Sequence, residues 1–200
     1  MKGIVTESFL PPQFNRKEIL RYAGGGCESQ DVNKLLDRCI GIVADKLSYK
    51  VCYTVLDCRL QESLCDFGVI NVNSSHLAKN LCGCKRVLVF GATLGMELDR
   101  LIAKYSRISL PDAVMLQAIG AERIEALCDE FCQGFEKREG VKLRPRFSPG
   151  YGDLPIETQK QIFGLLGCQK NIGLYLNESM LMVPTKSVTA FVGMDGKGLK

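Results

Sequence analysis

The sequence SVTAFV at positions 187–192 decides the fold class, because together with SMLMV at positions 179–183 it forms a pair of predicted strands that close the chain. In SVTAFV the apolar residues Val188, Ala190 and Val192 alternate with polar or aromatic neighbours, which is the pattern of a strand. Elsewhere, helices and strands are mixed without a steady strand–helix–strand rhythm. We therefore expect an α+β fold, a single domain with a largely antiparallel twisted sheet flanked by helices. A doubly wound fold is the alternative.

The remaining elements follow from local patterns. Asn15 is a predicted cap for a short helix at 16–22. The sequence SLPD at 109–112 opens the longest predicted helix, which runs to about Arg138. RVLVF at 86–90 is a compact apolar strand, and the GATLG that follows it at 91–95 is predicted to be a tight turn in which Thr93 caps the next helix. Further helices are predicted near 31–47, 74–84, 94–105 and 156–166, and further strands near 48–60, 69–70 and 141–147.

Length and composition suit one soluble domain. The chain has 200 residues, of which 46% are hydrophobic and 24% charged, enough to bury a core. Its net charge of +4 is scattered, which gives no support to nucleic-acid binding. No apolar run approaches the length needed to cross a bilayer, so no membrane partner is expected. Glu7 and the prolines at 11–12 interrupt the N-terminus too early for a secretory signal.

The ten cysteines indicate a reducing compartment rather than a disulfide scaffold. Most occupy apolar-periodic positions, as expected of small buried hydrophobes, and we expect a cytoplasmic location. Cys82-Gly83-Cys84 lacks the second Cys or His pair of a zinc site, so no metal is predicted. Cys128 and Cys132 are neighbours on a helix and are expected on its core face. The single histidine, His76, accompanies no nucleophile motif, so the catalytic residues stay unknown.

The sequence RFSPGYGDLP at 146–155 is the strongest candidate for a binding site. Its two glycines, Gly150 and Gly152, permit backbone conformations closed to other residues and let a ligand approach the main chain. Arg146 offers a fixed fork of donors, and Tyr151 offers a hydroxyl on a rigid ring whose face can lie beside a cation. A proline–glycine turn between strand and helix explains the same residues without a ligand, and the residues alone favour that simpler interpretation.

The spacing Arg146-x-x-x-Gly150-Tyr151 resembles the Arg-x-x-x-Gly-Tyr signature of the S-adenosylmethionine-binding reactivation domain of cobalamin-dependent methionine synthase. Pro155 and Thr158 also stand where that family has proline and threonine, and the helix from Asp112 to Phe135 resembles the long helix before the signature. The resemblance is convincing over residues 85–192, after an N-terminal helical and strand part at 1–84. Downstream matches are Leu176-Asn177-Glu178-Ser179, Met182, Pro184, Ser187 and Val188.

Membership of this family implies a function. Such domains rescue an enzyme whose cobalamin has been oxidised to cob(II)alamin, using an electron from flavodoxin or a similar donor and a methyl group from S-adenosylmethionine. The resemblance places Arg146, Ser148, Gly150 and Tyr151 around the ligand, with Arg146 and Ser148 acting partly through their backbone groups. Tyr151 is expected near the methionine end. The implied role of the protein is to hold the methyl group toward the cobalt.

Some family features have no clear counterpart. Fused domains hold the ligand's ammonium group with an aspartate near their start, and the first forty residues here do not identify its equivalent. Glu178 matches a family position that can serve either the ligand or the fold. The sequence contains no Asp-x-His-x-x-Gly cobalamin-binding motif, so cobalamin is expected on a partner, a cobalamin-binding methionine synthase polypeptide. The alternatives are another corrinoid methyltransferase as client, or a docking module without a ligand.

Overall fold

The computed structural model describes residues 3–25 and 29–195, which form a five-stranded sheet covered by helices on both faces. The strands are β1 (Val5–Ser8), β2 (Lys50–Asp57), β3 (Arg59–Gln61), β4 (Leu64–Asp66), β5 (Asn71–Asn73), β6 (Arg86–Thr93), β7 (Lys142–Leu143), β8 (Tyr175–Leu176), β9 (Met182–Val183) and β10 (Ser187–Asp195). The helices are α1 (Arg16–Tyr22), α2 (Gln30–Val43), α3 (Ser75–Asn80), α4 (Glu97–Tyr105), α5 (Leu110–Glu139), α6 (Thr158–Leu166) and α7 (Cys168–Ile172).

The main sheet has the order β1-β2-β6-β10-β7, and every neighbouring pair in it is antiparallel. Strands β3, β4 and β5 form a small separate sheet, and β8 pairs with β9. The long register between β6 and β10, from Ser187 opposite Thr93 to Met194 opposite Arg86, joins the closing strand to the centre of the sheet. The predicted α+β architecture with an antiparallel sheet and flanking helices is confirmed.

Each face of the main sheet has its own core. Phe90 belongs to the core beneath α1, α2, α4 and α5, while its neighbour Val89 belongs to the core beneath α3, α6 and α7. Both side chains are fully buried. Coverage on both faces explains why β6 is a continuous apolar run rather than an alternating one. Within residues 3–25 and 29–195, no helix combines the length and apolarity needed to span a membrane.

The predicted turn at 91–95 is wrong over its first three residues, because β6 continues through Thr93. Gly91 lies inside the sheet, where a Cβ atom would stand 3.3 Å from the Sγ of Cys168, so glycine here allows α7 to pack closely. Thr93 does not cap the next helix; its Oγ1 accepts hydrogen bonds from the Gly95 amide at 3.2 Å and from the Ser187 hydroxyl at 2.8 Å. Helix α4 begins at Glu97 without a side-chain cap.

Other boundaries also differ. Residues 69–70 lie in the connection between β4 and β5 rather than in a strand. Across it the Phe67 amide donates to Ile70 O at 2.9 Å, and the Gly68 amide donates to Asp66 Oδ1 at 2.7 Å. The predicted strand at 141–147 is reduced to β7 and a single bridge at Phe147, since Pro145 has no N–H to donate. The strand at 179–183 is reduced to β9, which follows a turn with Met180 at φ +63°. The helix predicted at 31–47 ends at Val43.

Two helix predictions are confirmed. Asn15 caps α1, because its side chain accepts a hydrogen bond from the Glu18 amide at 3.2 Å. Helix α5 begins at Leu110, next to the predicted start, and ends at Glu139, before Gly140, whose φ of +63° is the left-handed conformation that commonly terminates helices. This 30-residue helix crosses one face of the sheet and carries the candidate site on its outer side.

Candidate functional site

An open groove follows the outer face of α5. It consists of two cavities of about 670 and 640 Å³ that share Glu125, Asp129 and Gln133 of this helix. The segment 12–15 contributes one wall and the segment 144–148 the other. We refer to the two cavities together as the α5 groove. Its lining contains two basic side chains, Arg144 and Arg146, against the carboxylates of Glu18, Glu122, Glu125, Asp129, Glu130 and Glu136.

Arg146 is held at this groove by two carboxylates of α5. Its Nη1 lies 2.5 Å from Asp129 Oδ1 and its Nη2 lies 2.6 Å from Glu125 Oε2. Burial lowers the pKa of Arg146, but the hydrogen bond to Asp129 and the nearby carboxylates outweigh that effect and raise it. The Arg146 side chain is 25% exposed and lines the groove. The pairs therefore orient the Arg146 guanidinium at the groove.

The loop after Arg146 leaves the sheet through a single pair of residues. Phe147 and Phe191 exchange two backbone hydrogen bonds of 2.9 Å, which attach the loop to β10. The chain then turns back on itself, with the Tyr151 amide donating to Ser148 O at 3.1 Å and the Gly150 amide donating to Leu154 O at 2.9 Å. Gly150 has φ +86°, a conformation that favours glycine and that the tight turn requires.

The structure brings two of the four predicted site residues to the α5 groove. Arg146 and Ser148 line it, whereas Gly150 and Tyr151 lie farther along the loop, outside its lining. Tyr151 is 71% exposed and contacts Phe147 edge to face, with ring centroids 5.4 Å apart. The phenol therefore stands on the surface of the protein. The assignment of all four residues to a ligand stays a prediction.

The opposite wall is fixed by a buried arginine that the sequence analysis did not single out. Arg123 is fully buried and donates to the backbone oxygens of Pro12 and, at 2.7 Å, Gln13. It pairs at 2.5 Å with Glu122, which also accepts from the Asn15 amide at 3.2 Å. These contacts attach the segment 12–15 to α5, where it forms the wall of the groove.

Glu125 and Asp129 were also missed, although a signal for them exists. They are four residues apart on α5 and so lie one turn apart on the same face, opposite the apolar stripe that identified the helix. That spacing predicts a pair of carboxylates but not their partner. Arg146 follows Asp129 by 17 residues, so no local pattern connects the two.

Of the remaining candidates, Cys132 also lines the α5 groove, and the others lie outside its lining. Cys82 is exposed and Cys84 is buried, and within the described part of the chain no three His, Cys, Asp or Glu residues are placed to hold a metal. Cys128 is buried as predicted and Cys132 is partly buried, and burial raises the pKa of both thiols. Glu178 is exposed. Cys27 lies outside the described residues.

The fold and the groove define an α+β domain with an open, mostly acidic cleft beside a glycine-containing loop. The chain belongs to the family described as vitamin B12 dependent methionine synthase, activation domain, whose model matches residues 63–197. Among solved structures, it is similar to a crystal structure of the MetH reactivation domain bound to AdoHcy. That match has 16% identity and a TM-score of 0.71, and it covers 99% of this chain and 80% of the other. No curated protein matches.

The family match confirms the resemblance identified from Arg146, Gly150 and Tyr151, and the structural match confirms the fold. The match begins at residue 63, somewhat before the region in which the sequence resemblance was convincing. The division of the chain at residue 84 stays a prediction.

Proposed function

We propose that this chain is a stand-alone reactivation subunit of a cobalamin-dependent methionine synthase and that it binds S-adenosylmethionine in the α5 groove. The observation that carries the proposal is Arg146, the first residue of the family signature, held by Glu125 and Asp129 at the groove. Because the relative in the solved structure binds AdoHcy, a ligand of the S-adenosyl class is a natural occupant for this family.

The charges of the groove suit this ligand. S-adenosylmethionine carries a sulfonium and an ammonium group, both cationic, and a carboxylate. Glu125, Asp129 and Glu130 offer anionic partners along one helix face, and Arg146 offers a cationic one. A cation at the carboxylates and an anion at the guanidinium would replace the internal ion pairs at a small cost, because these pairs are partly exposed.

The chain's own residues would bind and orient the ligand. We assign Arg146 and Ser148 to its polar groups in the groove, and Gly150 and Tyr151 to the part that projects beyond Ser148. When bound, S-adenosylmethionine supplies an electrophilic methyl group for the partner's reduced cobalt. The positioning role of the protein is to keep that methyl group at the open side of the groove, where a partner's cobalamin can approach.

The proposal assigns the cobalamin and the electron source to other proteins. In this role a methionine synthase polypeptide would hold the cobalamin and a flavodoxin-like donor would supply the electron. A cytoplasmic location fits this role and the nine free cysteines of the described chain, seven of them buried. Burial raises the pKa of Cys39 and Cys58 to about 12, which keeps these thiols protonated and unreactive.

Calorimetric titration with S-adenosylmethionine tests the proposal. We expect saturable binding by the wild-type chain and a dissociation constant raised about tenfold or more in Arg146→Ala, which removes a charged group with a fixed donor fork. Arg100→Ala is the matched control, because Arg100 forms an exposed ion pair with Glu97 on α4 and does not line the groove. Absence of binding by the wild type, alone and with a cobalamin-bearing methionine synthase, would overturn the proposal.

A further inference from the structure

The loop that carries Gly150 and Tyr151 is attached at its far end to a different part of the molecule. Asp153 lies at the N-terminus of α3, nearly eighty residues earlier in the chain. Its Oδ2 accepts from the Ser75 amide at 2.8 Å and the Ser75 hydroxyl at 2.6 Å. Its Oδ1 accepts from the His76 amide at 3.2 Å and from the Ser74 hydroxyl. One carboxylate thus satisfies two helix amides that have no partner within the helix.

The anchor on the α3 side is rigid. Ser74 is 1% exposed, and its hydroxyl also accepts from the Leu77 amide at 3.0 Å, which caps α3. Leu77 is fully buried in the core beneath α3, α6 and α7, and Leu154, the residue after Asp153, is buried in the same core. Asp153 therefore connects an exposed loop to a part of the fold that cannot move without disturbing that core.

Gly152 packs against His76 of α3. A Cβ atom on Gly152 would lie 2.5 Å from His76 Nδ1 and 3.3 Å from His76 Cβ, so the imidazole occupies the space that a side chain would need. The φ of Gly152 is +59°, which also favours glycine. The contact with His76 and the positive φ thus account for the second glycine of the loop within the fold itself.

We infer that Asp153, together with Gly152 beneath His76, is a positioning element that holds the loop 148–152 in the conformation the ligand meets. This inference rests on the proposed function, because it assigns the geometry of Ser148, Gly150 and Tyr151 to a contact outside the groove. Two backbone hydrogen bonds attach the loop to β10 at Phe147, and the buried side chain of Leu154 attaches its other end to the core. Between these points Asp153 supplies the side-chain bonds to α3, and without them only the loop's own backbone hydrogen bonds hold the turn of residues 149–152.

The test compares Asp153→Ala with Asp99→Ala. Asp99 is the matched control, since its carboxylate also accepts from a distant backbone amide, that of Thr185 at 2.8 Å, and from the hydroxyl of the same residue. In Asp153→Ala we expect amide hydrogen exchange across 148–152 to accelerate about tenfold. We also expect the dissociation constant for S-adenosylmethionine to rise about tenfold, because a mobile loop must be ordered on binding. In Asp99→Ala the exchange rates across 148–152 and the dissociation constant should match those of the wild type, although the thermal stability falls about as much as in Asp153→Ala.

A conservative variant separates positioning from general stability. In Asp153→Asn the amide oxygen still accepts from Ser74 and His76, while the amide nitrogen cannot accept from the Ser75 amide. We expect exchange and affinity between those of the wild type and Asp153→Ala. Gly152→Ala should also weaken binding, and His76→Ala in the same chain should recover part of the loss by removing the steric conflict.

The outcomes distinguish this inference from the proposed function. Unchanged exchange across 148–152 in Asp153→Ala would overturn the positioning role, and so would faster exchange with unaltered affinity. Failure of the wild-type chain to bind S-adenosylmethionine would overturn the proposed function instead, because the exchange experiment needs no ligand.

Discussion

The two walls of the α5 groove are attached to the same helix by opposite means. The segment 12–15 is held by Arg123, which is fully buried and paired with a nearly buried Glu122. The segment 144–148 is held by Arg146, which is paired with the largely exposed carboxylates of Glu125 and Asp129. A buried charge that loses its partner destabilises a fold strongly, whereas an exposed ion pair contributes little to stability. We conclude that the Arg123 contacts stabilise the fold, whereas the Arg146 side chain can exchange its ion-pair partners when a ligand binds.

The largest effect is expected at the buried wall. Arg123→Met should lower the free energy of unfolding by about 3–5 kcal/mol, because it leaves the Glu122 carboxylate buried without its partner. Urea denaturation would measure this change. Arg146→Met, which breaks the pairs of the other wall with Glu125 and Asp129, should cost clearly less, because both carboxylates are largely exposed. The comparison between the walls fails if the two variants are equally stable.

A smaller effect, on binding alone, is expected in the loop that follows the exposed wall. Tyr151→Ala should weaken S-adenosylmethionine binding about threefold to tenfold, since it removes an aromatic contact surface and an edge-to-face partner of Phe147. The melting temperature should change little, because Tyr151 is 71% exposed. Tyr175→Ala, at a 41% exposed position outside the groove lining, is the control for calorimetry. Unchanged affinity in Tyr151→Ala would remove this residue from the site.

The smallest effect concerns acid stability at the far end of the loop. Hydrogen bonds from Ser74 and Ser75 hold the pKa of Asp153 well below its ordinary value of 3.8. A carboxylate with a depressed pKa in the folded state stabilises the fold above the pKa of the unfolded chain, and this contribution decreases as the pH falls below that value. The difference in unfolding free energy between wild type and Asp153→Ala should therefore be smaller at about pH 3 than at about pH 7. An equal difference at the two pH values would contradict the stabilising role assigned to the Asp153 carboxylate.

These contrasts also explain what the sequence could predict. The cap at Asn15 and the start of α5 were found because helix capping depends on residues within one turn of each other. Gly91 was assigned to a turn because its real partner, Cys168 on α7, lies far away in the chain. Glycine at such a position follows from how closely two elements pack, which only the tertiary structure determines.

The candidate site, like the fold, could be predicted from the sequence only in part. Arg146 and Ser148 were predicted from the family signature and do line the groove. Their partners on α5 and the buried Arg123 were not found, because charged residues in a helix are ordinarily solvated and their pairing depends on which segments pack beside them. The hydrogen bonds between Asp153 and α3 were not predicted for the same reason, since they depend on which segments pack together.

The most direct test of the account is formation of methylcobalamin on a cobalamin-loaded methionine synthase that lacks a reactivation domain, followed by absorbance under reducing conditions. With S-adenosylmethionine and an electron donor present, we predict that conversion of cob(II)alamin requires this chain, is strongly reduced with Arg146→Ala and is unaffected by Arg100→Ala. Equal conversion in the absence of the chain, or with Arg146→Ala in its place, would contradict the account.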